Sequence, residues 1–460
     1  MELKNKRVLV VGLGKSGLSA AMFLRGLGAR VTVSDTRSAA ALAREIPSLL
    51  DAGIMVEAGG HGLLTFRRQD LIVVSPGVPL DTPEIKQVLS FGLPVIGELE
   101  LASRFLQGGI VAVTGSNGKT TTTTLIGKIF AGAGQPTLVG GNIGLPVIEL
   151  IAESTPETVN VLEVSSFQLE TTSEFHPRIA IILNITPDHL DRHGSFERYV
   201  AAKEKIFARQ TTGDALILNA DDRNAQMCAA HSQTNADGAP GPGLYWFSAT
   251  RVVRQGAFVR DGVVCWIERE GGSAEPILPL AEIPLKGAHN VENVLAAVAA
   301  ARLATVPAES IRATVAAFHA VEHRLEFVRT ARGVDFYNDS KATNVDAAIK
   351  AIQSFPGNIH LILGGKDKSS DYTQLEADLR ARVKTVYTIG SAAEKIERHL
   401  HGMVKMVPAC TLDVAVAKAA EAATAGDVVL LAPACSSFDQ FENYEHRGRA
   451  FRDLVMALPG

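Results

Sequence analysis

Thr114-Gly115-Ser116-Asn117-Gly118-Lys119-Thr120 follows directly on the apolar run Ile110–Val113, and its residue types suit one task, the holding of phosphate. Successive backbone N–H groups in such a turn form a nest for an anion. A lysine there reaches terminal phosphates, and a hydroxyl at the helix start can bind Mg2+. The strict phosphate-loop spacing would need glycine at 113, where this chain has valine, so the turn is a shortened variant. The five threonines Thr120–Thr124 add polar crowding that an anion would satisfy, and ATP with Mg2+ is the implied ligand. The metal needs oxygen partners, and Glu163 ends the strand-like run Val161–Glu163 just ahead of Ser165-Ser166-Phe167-Gln168. After the apolar run Ile179–Leu183 come Asp188, His189, Asp191 and His193. His189 is the candidate among them, and Asp191 and His193 read as a solvated turn.

The first glycine turn of the chain, Gly12-Leu13-Gly14-Lys15-Ser16-Gly17, lies between the run Arg7–Val11 and a helical pattern from Leu18 to Leu27. Such a turn lets the backbone approach a phosphate at a helix N-terminus, and Asp35, 18 residues after Gly17, can hold a ribose hydroxyl. The turn alone fits a nicotinamide dinucleotide, another diphosphate, or plain packing of helix on strand. Lys15 inside it suits the pyrophosphate of a nucleotide sugar. Further on, His289 and Asn293 stand four apart on one helix face and can address a single ligand, or serve as a cap or buried amide, while Asn290 lies about 100° away. Three polar turns, Asn338–Asn344, Gly364–Ser369 and Pro433–Phe441, each close a strand of the last third and suggest one site. With lysines among them, that site prefers carboxylates or phosphates. Lys203 sits in a helical pattern whose buried side is marked by Phe196, Tyr199, Val200, Ile206 and Phe207, where a lysine is ordinarily a solvated charge.

Short strands alternating with helical stretches position these turns. The runs Arg7–Val11, Arg30–Ser34 and Leu71–Val74 open one α/β segment that ends near Gly97. Ile110–Val113, Asn160–Leu162, Ile179–Leu183 and Ala215–Asn219 form a second, with a loop at Gln233–Gly243 and an antiparallel excursion over Ala257–Ile267. Asp335–Tyr337, His360–Leu363, Thr385–Ile389 and Val428–Leu431, with helices at Val345–Ile352 and Asp413–Ala423, form a third that starts near Val321. A length of 460 residues suits three domains, expected at 1–98, 99–320 and 321–460. With 45 basic and 49 acidic residues the net charge is −4, so no global field exists to hold nucleic acid or an anionic membrane. Cys228, Cys265, Cys410 and Cys435 form no disulfide framework or CxxC pair. No cleavable leader and no apolar run of about 18 residues occurs, so a cytoplasmic monomer acting on small molecules is expected.

Taken together, Gly115–Thr120, Gly141-Asn142-Ile143-Gly144, Glu163–Leu169, Asn184–Asp191, Gly287–Asn290 and His323-Arg324 resemble the Mur ligases, the ATP-dependent amino-acid ligases of peptidoglycan precursor synthesis. The likeness spans the whole chain. Within the family, Asn338–Asn344 and Ser436–Phe441 resemble the members that add D-glutamate to UDP-N-acetylmuramoyl-L-alanine. The implied fold class is α/β in three domains: a Rossmann-like N-terminal domain for the UDP-sugar, a P-loop central ATPase domain with a mainly parallel sheet, and a Rossmann-like C-terminal domain for the amino acid.

The resemblance also implies roles. Gly115, Ser116, Asn117, Gly118, Lys119, Thr120 and Thr121 would bind ATP with Asn142, Asn293, Arg324 and Asp339. Thr120 and Glu163 would serve one Mg2+, and His189 would bind a second or orient the acyl phosphate, with Lys203 carrying a CO2-derived carbamate that makes it a metal ligand. Lys341 would approach the transferring phosphate beside Lys119. Lys15, Ser16, Asp35, Thr36, Arg37, Ser75 and Gly77 would surround the uracil and diphosphate, and Thr343, Lys368, Ser437 and Tyr444 the D-glutamate.

Overall fold

The computed structural model describes residues 1–318 and 322–459, so the expected domain start at Val321 lies outside the described residues. The chain divides into two units, one of Met1–Ile185, Arg192–Pro279 and Val294–Val315, the other of Thr186–Asp191, Leu280–Asn293 and Ala316–Gly460.

The first unit holds two sheets. Strands β1 (Arg7–Val11), β2 (Arg30–Asp35), β3 (Met55–Ala58), β4 (Leu71–Val74) and β5 (Val95–Gly97) pair in parallel in the order β3-β2-β1-β4-β5. The run Val8–Val11 is buried on both faces, as a central parallel strand requires. The sheet reverses direction of growth at β1, between β2 and β4, which opens a crevice at the carboxyl ends of these strands. The glycine turn, Asp35 and Ser75 all stand at those ends.

Strands β6 (Gly109–Thr114), β7 (Thr137–Gly141), β8 (Val159–Glu163), β9 (Ile179–Ile182), β10 (Ala215–Asn219), β11 (Gly243–Ser248), β12 (Gly256–Arg260), β13 (Val263–Ile267) and β14 (Glu275–Pro279) form the larger sheet. Its order is β14-β13-β12-β11-β10-β9-β6-β8-β7, parallel except for the antiparallel β12-β13-β14 extension. β6 again marks the switch point, so its following turn opens between the ends of β8 and β9. The helix Lys119–Gly132 buries the first threonines of its run, which offsets the weak helix propensity of β-branched residues.

The second unit carries β15 (Glu326–Ala331), β16 (Val334–Asn338), β17 (Ile359–Gly364), β18 (Val383–Ile389), β19 (Lys405–Cys410) and β20 (Val428–Leu431). They run β15-β16-β20-β17-β18-β19, with β15 alone antiparallel. The three polar turns follow β16, β20 and β17, which are adjacent, so the sheet sets them side by side. Among the described residues no helix is long and apolar enough to cross a membrane.

Glu98 is one of several ionisable side chains buried within the first unit's own packing. Glu98 opens the helix Glu98–Ser103, is 1% exposed, and accepts the Ile148 N–H at 2.7 Å. Burial pushes its carboxyl up to about 7; the Ile148 and Val147 N–H groups oppose this and Glu149 adds to it. The unfolded value lies near 4.5, so the stability gained from holding the proton is complete below that pH and lost as pH rises through about 7. Replacing Glu98 by Gln removes this dependence. The stability of Glu98→Gln relative to the parent is therefore expected to rise by about 1–3 kcal/mol between pH 5 and pH 8, read from urea midpoints. A difference that stays flat with pH would contradict the assignment.

Candidate active site

In the first unit the turn after β6 is built around its backbone. Gly118 adopts φ +87°, a left-handed conformation that costs an L side chain strain, and the helix starts at the next residue. Asn184, just beyond β9, clamps the turn from the side. Its carbonyl accepts the Ser116 N–H at 2.9 Å, its side chain accepts the Asn117 N–H at 2.8 Å, and its amide donates to Asn117 O at 3.1 Å. The Lys119 ammonium lies over the turn, donating to Gly115 O at 2.8 Å and Ser116 O at 2.9 Å.

Glu163, 1% exposed at the end of β8, shares its two oxygens between two elements. Oε2 accepts the Thr120 hydroxyl at 2.7 Å and Oε1 the Asn142 amide at 2.7 Å. The Asn142 N–H also donates to Glu163 O at 2.9 Å. Gly141 permits this approach: its φ is +102° and a Cβ there would stand 2.3 Å from Glu163 O.

Lys203 is 1% exposed, against the solvated position that its helix pattern alone suggests. Its ammonium donates to Gly115 O at 2.9 Å, reaches Thr114 Oγ1 at 3.5 Å and lies 4.6 Å from the centre of the Tyr199 ring. Tyr199 OH in turn is 3.0 Å from Ser116 Oγ. His193 also departs from its expected solvated turn. It is buried, with Nδ1 3.0 Å from Glu170 and Nε2 3.0 Å from Ser166 Oγ, because Phe167 stacks on it and Tyr199 meets it edge-on.

At the first glycine turn Asp35 is committed to the protein. Its oxygens accept the Leu13 N–H at 2.7 Å and the Arg37 N–H at 2.8 Å, with the Arg37 guanidinium 2.9 Å away. Burial would raise the carboxyl, but Arg37 and these N–H groups outweigh it and hold it at about 2. Ser75 Oγ donates to Gly12 O at 2.8 Å, and Arg192 donates to Val78 O at 2.8 Å. Lys15 and Thr36 are exposed, Ser16 is half-buried, and Gly77 lies on the exposed part of the turn after β4.

The second unit gathers the remaining candidates. Asp188 is the hub. It accepts the Asn344 amide at 3.0 Å and the His189 N–H at 2.9 Å, and lies 4.0 Å from the Lys368 ammonium. The Lys341 ammonium sits over the Tyr444 ring at 3.8 Å. Asp339 is pushed up to about 7 by burial, with the Arg324 charge and the Leu325 N–H opposing. His289 is lowered to about 4 by burial, then by Lys350 and Arg324, and is neutral at pH 7. Asn293 donates to Asn290 Oδ1 at 3.0 Å, as residues three apart on a helix can meet.

Arg447 is absent from the residues singled out by sequence and is 1% exposed. Its guanidinium donates to Ser340 Oγ at 3.0 Å, Ser340 O at 2.8 Å, Cys435 O at 3.1 Å and Ser436 O at 3.3 Å. Ser436 pairs through its backbone with Lys366, so one side chain fixes two polar turns directly and a third through a bridge. Ser437 lies buried within the second of these turns, and Thr343 is half-buried in the first. No local signal marks Arg447, since its partners Ser340 and Cys435 stand 107 and 12 residues away.

Among the described residues no three His, Cys, Asp or Glu side chains are placed to hold a metal ion by themselves.

Three family models match this chain: "Mur ligase MurD-like, N-terminal domain" over residues 6–97, "Mur ligase middle domain" over 113–301, and "Mur ligase, glutamate ligase domain" over 323–435. The chain belongs to the Mur ligase family. It is 68% identical over 460 residues to the UDP-N-acetylmuramoylalanine--D-glutamate ligase of Acidobacterium capsulatum, covering 100% of this chain and 98% of that one. It is 56% identical over 458 residues to the enzyme of the same name from Koribacter versatilis, covering 100% and 99%. Among solved structures, a pseudomurein peptide ligase type C from Methanothermus fervidus superposes with a TM-score of 0.60 at 21% identity, covering 98% of this chain and 99% of that one. MurF ligase from Thermotoga maritima, in complex with ADP, superposes with a TM-score of 0.60 at 15% identity, covering 99% and 96%. Both share the fold.

Removing the Arg447 guanidinium takes a donor from the Ser340, Cys435 and Ser436 carbonyls, of which Ser436 O keeps the Lys366 N–H. Arg447→Met is expected to lower stability by about 2–4 kcal/mol in urea unfolding, and Arg447→Lys, which keeps a donor without the fork, by less. Equal stability of all three proteins would refute this.

Proposed function

We propose that this chain joins the amine of D-glutamate to the alanyl carboxyl of UDP-N-acetylmuramoyl-L-alanine, using ATP and an acyl-phosphate intermediate, in cytoplasmic peptidoglycan precursor synthesis. The observation that carries the reading is the Glu163 carboxylate, held between Thr120 at the phosphate turn and Asn142. The names of the full-length relatives support the substrates. The chain works on small molecules as a monomer, with residues 1–98 for the UDP-sugar, 99–320 for ATP and 321–460 for the amino acid.

Mg2+ fits the donors on the first unit. Mg2+ ordinarily takes one or two carboxylates and completes its shell with substrate phosphates and water, and Thr120 with Glu163 offers such a partial oxygen set. Thr120 and Glu163 would hold one ion and His189 a second, with a carbamate on Lys203 as a further metal ligand. A carbamate turns the buried Lys203 cation into an anion able to serve as a metal ligand. Bound Mg2+ supplies positive charge against the phosphate oxygens.

The residues divide the remaining work. Gly115–Thr121 cradle the phosphates, with Lys119 at the terminal one. Asn142, Asn293, Arg324 and Asp339 contact the rest of ATP. The substrate carboxylate attacks the terminal phosphorus, and ADP leaves. The D-glutamate amine then attacks the acyl carbon, loses a proton, and inorganic phosphate departs. Both steps build charge on oxygen, which Lys119 and Lys341 are suited to stabilise. Lys15, Ser16, Asp35, Thr36, Arg37, Ser75 and Gly77 orient the UDP-sugar, and Thr343, Lys368, Ser437 and Tyr444 the D-glutamate.

Phosphate release from ATP is expected to require both UDP-N-acetylmuramoyl-L-alanine and D-glutamate. Equal turnover with L-glutamate, L-lysine or meso-diaminopimelate would overturn the specificity. Lys203→Ala is expected to lose at least about 100-fold in kcat, on the scale of one lost charge-stabilising group, with partial rescue by short carboxylic acids. Absence of any rescue would argue against the carbamate.

A further inference from the structure

Segment 141–149 leaves β7, the edge strand of the larger sheet, which pairs only with β8. Its near end carries Asn142, bonded to Glu163. Its far end is gripped at three points by the fold of the smaller sheet. Lys15 Nζ donates to Gly144 O at 2.8 Å, Ser19 Oγ donates to Glu149 Oε1 at 2.5 Å, and Glu98 Oε1 accepts the Ile148 N–H at 2.7 Å. Lys15 and Ser19 lie in the helix that follows the first glycine turn, and Glu98 follows β5.

Glu98 is the buried member of the three. Its Oε2 is buried with no hydrogen-bond partner among the described residues, and it lines a small cleft with Ser75, Val78, Phe167, Gln168 and Arg192. A carboxyl kept there with one oxygen unsatisfied is a poor choice for stability, since an apolar side chain of similar size would fill the space without desolvating a charge. What it supplies is a fixed acceptor for the strap's backbone.

We propose that Glu98 is a positioning residue: it holds segment 141–149 so that Asn142 and Thr120 share the Glu163 carboxylate, and thereby makes the nucleotide and metal end depend on the fold that carries the first glycine turn. The proposal rests on the reading of Thr120 and Glu163 as the Mg2+-ATP end.

The test is a steady-state and double-mutant comparison on the full chain. Glu98→Leu removes the acceptor and is expected to raise KM for ATP about tenfold while changing KM for UDP-N-acetylmuramoyl-L-alanine less than threefold. Glu98→Gln keeps an acceptor and restores both to within about threefold of the parent. If Glu98 acts through Asn142, the double variant Glu98→Leu/Asn142→Ala is no worse than Asn142→Ala alone. Ser19→Ala, a half-buried site that leaves the fold intact, tests the same strap and is expected to raise KM for ATP twofold to threefold. Equal rises in both KM values, additive effects in the double variant, or no change in Ser19→Ala would overturn the proposal. Calorimetry with Mg2+-ADP on the same variants reads the same tenfold loss without turnover, so a wrong amino-acid substrate and a wrong role for Glu98 give different results.

Discussion

A buried carboxylate has to be neutralised, hydrogen-bonded or paid for, and Glu163 meets that demand by drawing two elements onto itself. The Thr120 hydroxyl comes from the helix after β6 and the Asn142 amide from the turn after β7, so one side chain sets the spacing of both. Neither partner brings a charge that would cancel the carboxylate. Glu163 thus offers hard carboxyl oxygens beside a loop of backbone N–H groups, the combination that suits Mg2+ held jointly with phosphates. Gly141 belongs to the same constraint, because any side chain there would strike the Glu163 carbonyl.

The second unit solves the complementary problem. Three turns rich in hydroxyls and lysines would be mobile if each were held only by its own strand. Arg447 removes that freedom with one guanidinium that reaches Ser340, Cys435 and Ser436. A planar fork is the side chain that can do this, since several donors leave it in fixed directions. Asp188 does similar work with opposite charge, drawing Asn344, the His189 backbone and Lys368 toward one carboxylate.

How much of this was legible depended on whether a signal was local. The strand, glycine turn and helix at 109–132 read directly, because they are contiguous in the chain. The α/β class reads equally well, from short apolar runs alternating with helical stretches. The clamps do not read. Asn184 stands 67 residues from Asn117, Arg447 stands 107 from Ser340 and Asn344 stands 156 from Asp188, and nothing in a single sequence ties such pairs together. Lys203 looked solvated because helical spacing shows which side of a helix is apolar but not what covers the other; Gly115, 88 residues away, covers it. His193 was missed for the same reason, being enclosed by Phe167 and Tyr199. Helical spacing puts His289 and Asn293 on one face but does not show that the Asn293 amide reaches three residues back to Asn290.

The overall charge of −4 sharpens what these clamps accomplish. A chain with no positive field of its own has to place cations where anions are handled and keep their charge from being cancelled. Lys119 and Lys203 both donate to Gly115 O, and every hydrogen bond of Arg447 goes to a hydroxyl or carbonyl. Carbonyls fix a cation's position while leaving its net charge intact, whereas a carboxylate would fix it and neutralise it. Burial lowers Arg447 to about 10, with Cys435 and Asp439 opposing, yet it stays charged at neutral pH. Lys395 and Lys384 follow another logic: they pair with Asp367 and Asp427, and their fields are spent locally. At Arg447 the charge is thus kept by the choice of partner, while at Lys368 and Arg37 it is shared with Asp188 and Asp35, so partner chemistry rather than the number of basic residues decides where positive charge remains.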